Sequence, residues 1–269
     1  MEPLEITRPL KTLHDCAVAY TLLVLLGIIC LVFSVWALLM HPLLSRRRGM
    51  AAARFGIMAG FRAYCWLLRA SGAYKLDLTA IDALRDGPPV ILAPNHPSLI
   101  DALFILSRHP DLACVMKAEL LDNVFLGAGS RLARYIPSDQ PRQMIREAVA
   151  ELRAGGVLLL FPEGTRTTRE PVNPLKGSIA LIARHAQVPV QVAIIETDSP
   201  YLGKGWPLWR RPQLPITCRI RLGRRFDPPQ DVDAFMTALD REYSQQLRGA
   251  PQSGWLAEED GSQIDSYSR

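Results

Sequence analysis

Apolar residues fall into one long run near the beginning of the chain and a series of short runs further on. Residues 16–40 are 25 positions without a charged side chain. As a helix, this run would be about 37 Å long, enough to cross the ~30 Å hydrocarbon core of a bilayer. We therefore predict a membrane-inserted helix. A buried helix and a signal peptide are the alternatives, although the bulky residues that end the run do not suit a signal-peptide cleavage site.

The next segment has a different pattern. We predict an amphipathic interfacial helix over residues 49–72, because aromatic and aliphatic residues are interspersed there with Arg54, Arg62 and Arg69. At roughly 100° per residue, the three arginines lie within an arc of about 80°. Such a basic stripe suits a membrane surface. A helix packed on the following domain, with its basic face in solvent, explains the pattern equally well.

From residue 73 onward, short strand-like runs alternate with helical patterns. The strand-like runs are 74–78, 90–93, 112–116, 157–160, 188–195 and 217–222, the last with the alternation of an edge strand. This order predicts an α/β fold, in which a largely parallel or mixed central sheet is flanked by helices. The predicted organisation is an N-terminal segment 1–48, the amphipathic helix 49–72, a main domain 73–249 and a flexible tail 250–269.

Polar residues suited to chemistry follow the predicted strand 90–93. His96 lies just before a predicted helix over residues 98–107, and Asp101 comes five positions later. Five residues apart on one continuous helix, the side chains would point about 140° apart, so they can meet only if His96 precedes the helix. The carboxylate would then fix the tautomer of the imidazole and leave its other nitrogen free to accept a proton. Most pairs with this spacing are accidental, and a histidine here can also simply cap the helix.

A second polar stretch, residues 161–167, directly follows the predicted strand 157–160. Open α/β sheets collect their sites beyond the carboxyl ends of strands, so both stretches are expected at one edge of the sheet. Gly164 permits a tight turn. The planar guanidinium of Arg166 matches phosphate oxygens, and its alternative role is a salt bridge to Glu163.

The two stretches together resemble the glycerolipid acyltransferase family, whose best-known members are the 1-acylglycerol-3-phosphate acyltransferases. The resemblance rests on Asn95-His96-Pro97-Ser98 through Asp101 followed by residues 161–166, and it extends over about residues 75–225. It implies transfer of an acyl chain from a coenzyme A or acyl carrier protein thioester to a lipid hydroxyl, with no bound cofactor.

The resemblance also implies roles for individual residues. His96 would be the general base and Asp101 its orienting carboxylate. The polar head of the acceptor would be bound by Glu163, Gly164, Thr165 and Arg166, with Lys117 of a Lys-x-Glu-Leu segment as a weaker candidate. No serine or cysteine lies in a nucleophile elbow, so we expect direct transfer without an acyl-enzyme.

The sequence departs from the family pattern at two positions. Gln140 stands where an arginine that helps to hold the acceptor phosphate is expected, and Pro97 replaces a common glutamine. Arg142 and Arg134 are candidates to compensate. The default acceptor is 1-acylglycerol 3-phosphate, but a lyso-ornithine lipid or another specialised glycolipid is an alternative. A thioesterase or hydrolase on the same scaffold and a non-catalytic lipid-binding protein are further hypotheses.

Charge and cysteine content limit the partners, metal sites and cellular location that the sequence predicts. The net charge of +5 suits anionic lipid surfaces or phosphorylated substrates without indicating a nucleic-acid partner. The five cysteines have no paired or metal-like spacing, and we predict no metal site. Basic residues are more numerous after the apolar run than before it, which predicts a catalytic domain on the cytoplasmic side of a bacterial inner membrane. Membrane lipids and the acyl-CoA or acyl carrier protein donor are the expected partners.

Overall fold

Seven strands form one sheet at the centre of the molecule. The computed structural model describes residues 7–207 and 210–248, so the predicted tail 250–269 lies outside the described residues. The strands are β1 (Tyr74–Asp77), β2 (Ile91–Pro94), β3 (Leu112–Met116), β4 (Ile136–Pro137), β5 (Val157–Leu159), β6 (Val190–Thr197) and β7 (Ile216–Phe226).

The sheet is mixed, with the order β1-β7-β6-β2-β5-β3-β4. Every neighbouring pair is parallel except β6 and β7, which run antiparallel. The α/β prediction is therefore confirmed. The prediction of an edge strand at 217–222 is wrong, because β7 pairs with β1 on one side and β6 on the other.

Seven α-helices surround the sheet in the part of the chain that the structure describes. They are α1 (Thr7–Met40), α2 (Arg46–Ala70), α3 (Asp101–Leu106), α4 (Gly127–Leu132), α5 (Pro141–Arg153), α6 (Ser178–Ala186) and α7 (Val232–Leu247). Helix α1 begins at Thr7, before the apolar run, because the residues between Thr7 and the run belong to the same helix. Helix α4 has no counterpart in the sequence analysis.

The two faces of the sheet carry different helices. On one face, Leu92 of β2 belongs to a core that includes residues of α1, α2, α3 and α4. On the other face, its neighbours Ile91 and Ala93 pack with residues of α5, α6 and α7. This separation follows from the alternation of side chains along a strand. The N-terminal helices are thus part of the layer that covers β2 and β5.

The basic stripe of α2 is divided: Arg54 is buried against the rest of the protein, whereas Arg62 and Arg69 are exposed, as expected for a helix packed on the domain with a basic face in solvent. Arg54 is 2% exposed and donates hydrogen bonds to the backbone oxygen of Ala133, to Asp111 and to Glu151. Arg62 and Arg69 donate to backbone oxygens of Ser107 and Leu76, respectively. The large hydrophobic side chains that α2 exposes are aromatic, Phe55 and Trp66.

Helix α1 has one packed face and one exposed apolar face. Ala19, Leu22, Ser34 and Ala37 are buried, whereas Val24, Ile28, Val32, Val35 and Leu39 are each at least half exposed. Its residues Lys11–Met40 are long and apolar enough to cross a membrane, by length and composition. An exposed apolar stripe of this kind is typical of a surface that contacts another protein or a membrane.

Candidate active site

The two polar stretches meet at one edge of the sheet because their strands are neighbours. Strands β2 and β5 are paired in parallel, with Ile91 opposite Leu158 and Leu92 opposite Leu159. The segments that follow β2 and β5 therefore leave the sheet at the same edge. The loop after β2 carries His96, and the loop after β5 carries Glu163.

His96 and Asp101 are in contact as the sequence analysis predicted. His96 Nδ1 lies 3.0 Å from Asp101 Oδ2, which also accepts a hydrogen bond from the backbone N–H of Ser98 at 2.6 Å. The helix begins at Asp101 rather than at Ser98, so residues 95–100 form a loop and Pro97 lies outside the first helical turn. Asp101 is 1% exposed, and its burial raises its pKa while the hydrogen bonds with His96 and Ser98 oppose that shift.

The imidazole of His96 is held in place and remains accessible. Its ring stacks on Phe161, with ring centroids 4.0 Å apart and an angle of 25° between the ring planes. The side chain is 17% exposed, and Nε2 has no hydrogen-bond partner among the described residues. With Nδ1 protonated and directed at Asp101, Nε2 is the nitrogen that can take a proton from a substrate.

Glu163 joins the two loops. It is 3% exposed and accepts hydrogen bonds from the backbone N–H of His96 at 3.0 Å, from Thr167 Oγ1 at 2.7 Å and from the backbone N–H of Asn173 at 2.8 Å. Burial raises the pKa of Glu163, whereas these donors favour the ionised form. Its carboxylate therefore organises the site from inside the protein.

The other predicted acceptor-binding residues differ in their placement. Gly164 has a φ of +67°, a backbone conformation that favours glycine at this turn. Thr165 is half-buried in the same turn. Lys117 is exposed just after β3, and no hydrogen bond joins it to the two loops in the described part of the chain.

Arg166 contacts a third loop rather than Glu163. Its Nη1 donates hydrogen bonds to the backbone oxygens of Leu202 and Gly203, at 2.9 and 2.8 Å. The loop after β2 reaches the same segment, because Ser98 Oγ donates to the Tyr201 oxygen and the Leu99 N–H to the Leu202 oxygen. This third segment was not predicted to belong to the site. Since the contacts are made to backbone oxygens, which every residue has, no sequence signal could have identified it.

Asn95 and Phe161 were also missed as site residues. The Asn95 amide donates to the backbone oxygen of Ile195 and accepts from the N–H of the same residue, at 3.0 and 2.7 Å, which ties the beginning of the His96 loop to β6. Both residues belong to the quoted motifs. Their place in the two motifs was therefore the available sequence signal.

An apolar cavity of ≈ 360 Å³ lies next to the His96–Asp101 pair. Leu99, Ile100, Ala102 and Leu103, which flank Asp101 along the chain, form part of its wall. The remainder comes chiefly from α1, α2 and the segment around α4, including Phe33, Gly56, Gly60 and Gly129. We refer to it as the apolar cavity. Its volume lies within the ~300–1,000 Å³ that ligand pockets typically have.

Comparisons with known proteins identify the class of enzyme. Residues 75–196 match the family model described as Acyltransferase. The chain is 26% identical over 179 residues to a 1-acyl-sn-glycerol-3-phosphate acyltransferase of Pseudomonas aeruginosa, a match that covers 64% of this chain and 67% of the relative. It is 28% identical over 160 residues to the protein of the same name from Limnanthes douglasii, covering 57% of this chain and about half, 54%, of the relative.

A solved structure shares the fold. The crystal structure of the 1-acyl-sn-glycerophosphate (LPA) acyltransferase PlsC from Thermotoga maritima matches with a TM-score of 0.65 and 19% identity, over 90% of this chain and 96% of that one. The fold and the matches define an acyltransferase enzyme. Within that class, the matches support the glycerolipid acyltransferase family, as the two motifs predicted.

Proposed function

We propose that the enzyme transfers an acyl chain from a thioester to the hydroxyl of a lysophospholipid, by default 1-acylglycerol 3-phosphate, giving phosphatidic acid. The observation that carries the proposal is His96, bonded to buried Asp101 through Nδ1 and with Nε2 unbonded among the described residues. The names of the two sequence relatives support this acceptor. Acyl-CoA or an acyl carrier protein would supply the thioester.

The proposed reaction is direct transfer. His96 Nε2 removes the proton of the acceptor hydroxyl, and the oxygen attacks the thioester carbonyl. The carbon–oxygen bond forms, the carbon–sulfur bond breaks, and the proton passes from the imidazolium to the leaving thiolate. Base catalysis of this kind contributes roughly 10²–10⁴ in rate, and the positioning of two substrates must supply much of the remainder.

The apolar cavity supports a site for the acyl chain. The loop residues beside His96 and Asp101 lie in its wall, so a chain in the cavity would have its carbonyl end near the imidazole. Close packing of small residues shapes this space, because a Cβ at Gly56 or at Gly129 would lie 2.6 or 2.7 Å from the ring of Phe33.

We propose that arginine side chains bind the polar head group of the acceptor. Arg166 Nη1 is occupied by backbone oxygens, which leaves its other N–H groups for a phosphate. Gln140, at the position where the family has arginine, lines a small cleft of ≈ 280 Å³ together with Arg131. Neither Arg142 nor Arg134 lines that cleft, so Arg131 is the better placed substitute for the expected arginine. A lyso-ornithine lipid or a specialised glycolipid is the alternative acceptor.

We further propose that α1 enters the cytoplasmic leaflet without crossing the bilayer. Ala19 lines a small cavity with Tyr201 and Tyr74, and Ser34 donates a hydrogen bond to the backbone oxygen of Phe125 at 2.7 Å. These contacts lie about 22 Å apart along the helix, at 1.5 Å per residue. A crossing helix would pull the attached domain into the hydrocarbon. Reporters fused at Asp15 and Gly49 should lie on the same side of the membrane, and opposite sides would refute this arrangement.

A lipid-product assay tests the reaction. Labelled acyl thioesters and a panel of lysolipids are supplied to membranes that contain the wild-type protein or His96→Ala. We expect a two-chain product with one acceptor, and its loss in the variant. Free fatty acid as the only product would identify a hydrolase. Equal activity of His96→Ala and wild type would exclude His96 as the base, and no product with any donor or acceptor would favour a binding protein.

A further inference from the structure

A basic cleft lies beside β4, the strand at one edge of the sheet. We call it the arginine cleft, because Arg46 and Arg47 of α2, Arg131 of α4 and Arg134 line it. Its volume is ≈ 610 Å³, and no residue of the His96 loop or of residues 161–167 contributes to its wall. It shares Arg131 with the small cleft beside Gln140. Tyr135 lines both this cleft and the apolar cavity, so the two spaces adjoin.

The arginine cleft has an excess of positive charge without protein partners. Arg46, Arg47 and Arg134 are exposed, and none makes a hydrogen bond or ion pair through its side chain within the described residues. Two carboxylates, Glu147 and Glu151, also line the cleft. Glu151 is bound to Arg54 at 2.6 Å, so Glu147 is the only one without a cationic partner among the described residues. A ligand that balances this charge must be an anion.

Arg134 occupies a backbone position where glycine is favoured. Its φ is +56°, and the Tyr135 N–H donates to the Ser130 oxygen while the Arg134 N–H donates to the Arg131 oxygen. This is the pattern of a helix C-terminus that usually carries glycine, because other side chains are strained in the left-handed region. The arginine at this position has no protein partner among the described residues, so its side chain is free to bind a ligand.

The beginning of α2 adds to the positive potential of the cleft. This helix of 25 residues starts at Arg46, and Ser45 makes no side-chain hydrogen bond to its first N–H groups. Unpaired N–H groups and the helix dipole favour an anion there. The three unpaired arginines and the uncapped helix therefore converge on one cleft.

We propose that the arginine cleft binds the phosphodiester head group of an anionic membrane lipid, as a site separate from catalysis. Helix α1 ends at Met40 and α2 begins at Arg46, so only residues 41–45 separate the apolar helix from the cleft. Leu38, Leu39 and Leu43 near this junction are 60%, 61% and 72% exposed, which is the surface expected at a lipid boundary. The inference rests on the membrane insertion of α1 given under Proposed function.

Lipid binding by the full-length protein in a neutral detergent tests the proposal. Phosphatidylglycerol or phosphatidylcholine is titrated in, and retained lipid is counted by native mass spectrometry. We expect one phosphatidylglycerol to bind preferentially, and the triple variant Arg46→Gln, Arg47→Gln, Arg134→Gln to bind it at least about tenfold more weakly. The control, Arg146→Gln, Arg225→Gln, Arg241→Gln, removes the same charge from exposed positions outside the cleft and should bind like wild type.

A single variant distinguishes the loss of lipid binding from a loss of folding. Arg134→Gly removes the side chain and suits the positive φ, so it should weaken phosphatidylglycerol binding without lowering the melting temperature. Equal loss in the control triple variant would overturn the proposal, as would equal binding of both lipids. Displacement of the lipid by millimolar inorganic phosphate would identify a soluble-anion site instead.

Kinetics separate this site from the acceptor site. In detergent without anionic lipid, the triple variant should retain the wild-type KM for the lysolipid acceptor. A raised KM would show that the cleft holds the acceptor, which overturns the proposal and leaves the acyl-transfer reaction intact. Loss of product in the wild type under every condition would count against the proposed function instead.

Discussion

The backbone N–H of His96 donates a hydrogen bond to Oε1 of Glu163 at 3.0 Å, although the residues are 67 positions apart in the chain. The same buried carboxylate accepts from Thr167 and Asn173. Glu163 thus fixes the position of the loop that carries the imidazole relative to the loop after β5. We infer that Glu163 supports acceptor binding indirectly, because its oxygens are bonded inside the protein.

Glu163→Gln should impair both activity and stability. In the wild type, both carboxylate oxygens accept hydrogen bonds. The glutamine amide keeps one accepting oxygen but replaces the other with an NH₂ group, which leaves one of the protein's donors without an acceptor. We expect kcat to fall by about 10- to 100-fold, because the loop that carries His96 is displaced. We also expect the free energy of unfolding to fall by about 1–3 kcal/mol. Steady-state kinetics and thermal melts in detergent measure both.

Glu170→Gln is the matched control for this change. Glu170 is exposed and lies seven positions after Glu163 in the same loop region, so its variant should behave like wild type. Retention of full activity by Glu163→Gln would contradict the inference that this carboxylate positions His96.

Asp101→Asn should separate activity from stability. Burial raises the pKa of Asp101 above its ordinary value of 3.8. The native state then binds the proton more tightly than the unfolded chain, so stability is greatest below the ordinary pKa and is lost as the pH rises through the raised one. At neutral pH the ionised carboxylate therefore costs folding free energy, and the neutral amide removes that cost.

We expect Asp101→Asn to melt at or above the wild-type temperature at neutral pH. Its kcat should nevertheless fall by roughly 10²–10⁴, because the amide cannot stabilise the imidazolium. Melting curves from acidic to neutral pH should show the difference in stability growing as the pH rises. The exposed Asp240→Asn serves as control. A variant that loses stability at neutral pH, with activity intact, would show that the carboxylate is structural.

The α/β fold and the His96–Asp101 contact could be predicted because each is encoded locally. Short apolar runs after turn residues mark β2 and β5, and parallel neighbours deliver their following loops to one edge. Helix α4 escaped detection because six residues, Gly127–Leu132, are too short to show a helical period. Strand β7 resembled an edge strand because of its arginines, but Arg219 and Arg221 are paired with Asp77 and Glu196.

The placement of Arg54 shows where pattern arguments fail. An arginine on an amphipathic helix is ordinarily exposed, because charged side chains are seldom buried without partners. The partners of Arg54, Asp111 and Glu151, are 57 and 97 positions away. Such pairing is a property of the folded chain and has no local signal. The same holds for the bonds of Arg166 to the Leu202–Gly203 backbone.

Gly60→Leu should shorten the acyl chain that the enzyme accepts. Gly60 lines the apolar cavity, and a Cβ there would meet only Ile29 Cγ2, at an ordinary contact distance of 3.6 Å. A larger side chain is therefore accommodated and its outer atoms occupy the cavity. Each methylene excluded from an apolar site costs about 0.8 kcal/mol. We expect kcat/KM for long-chain thioesters to fall about tenfold or more, with short-chain donors little affected.

A series of acyl-CoA donors of increasing length measures this shift. The control is Ala59→Leu, which enlarges the preceding residue on the exposed side of α2 and should leave chain-length preference unchanged. A uniform loss with donors of every length would mean that Gly60 affects the fold rather than the acyl site, and an unchanged preference would place the chain elsewhere.

Arg54→Met should show how firmly α2 is attached to the catalytic domain. Arg54 Nη1 lies 2.6 Å from Glu151 and 2.8 Å from Asp111, and the side chain of Glu151 is 19% exposed whereas that of Asp111 is 61% exposed. Removal of the guanidinium leaves Glu151 as a largely buried charge without its partner. We expect the free energy of unfolding to fall by about 3–5 kcal/mol, as is typical when one member of a buried ion pair is removed.

The double variant Arg54→Met, Glu151→Gln tests that explanation. It removes the unpaired charge as well, so its loss of stability should be smaller than the sum of the two single losses by about 1–3 kcal/mol. Arg48→Met, at an exposed position of the same helix, controls for the loss of a positive charge. Thermal unfolding in a neutral detergent measures all four variants. Strictly additive losses would show that Arg54 stabilises the protein through its bond to the Ala133 oxygen and through packing, with Glu151 contributing independently.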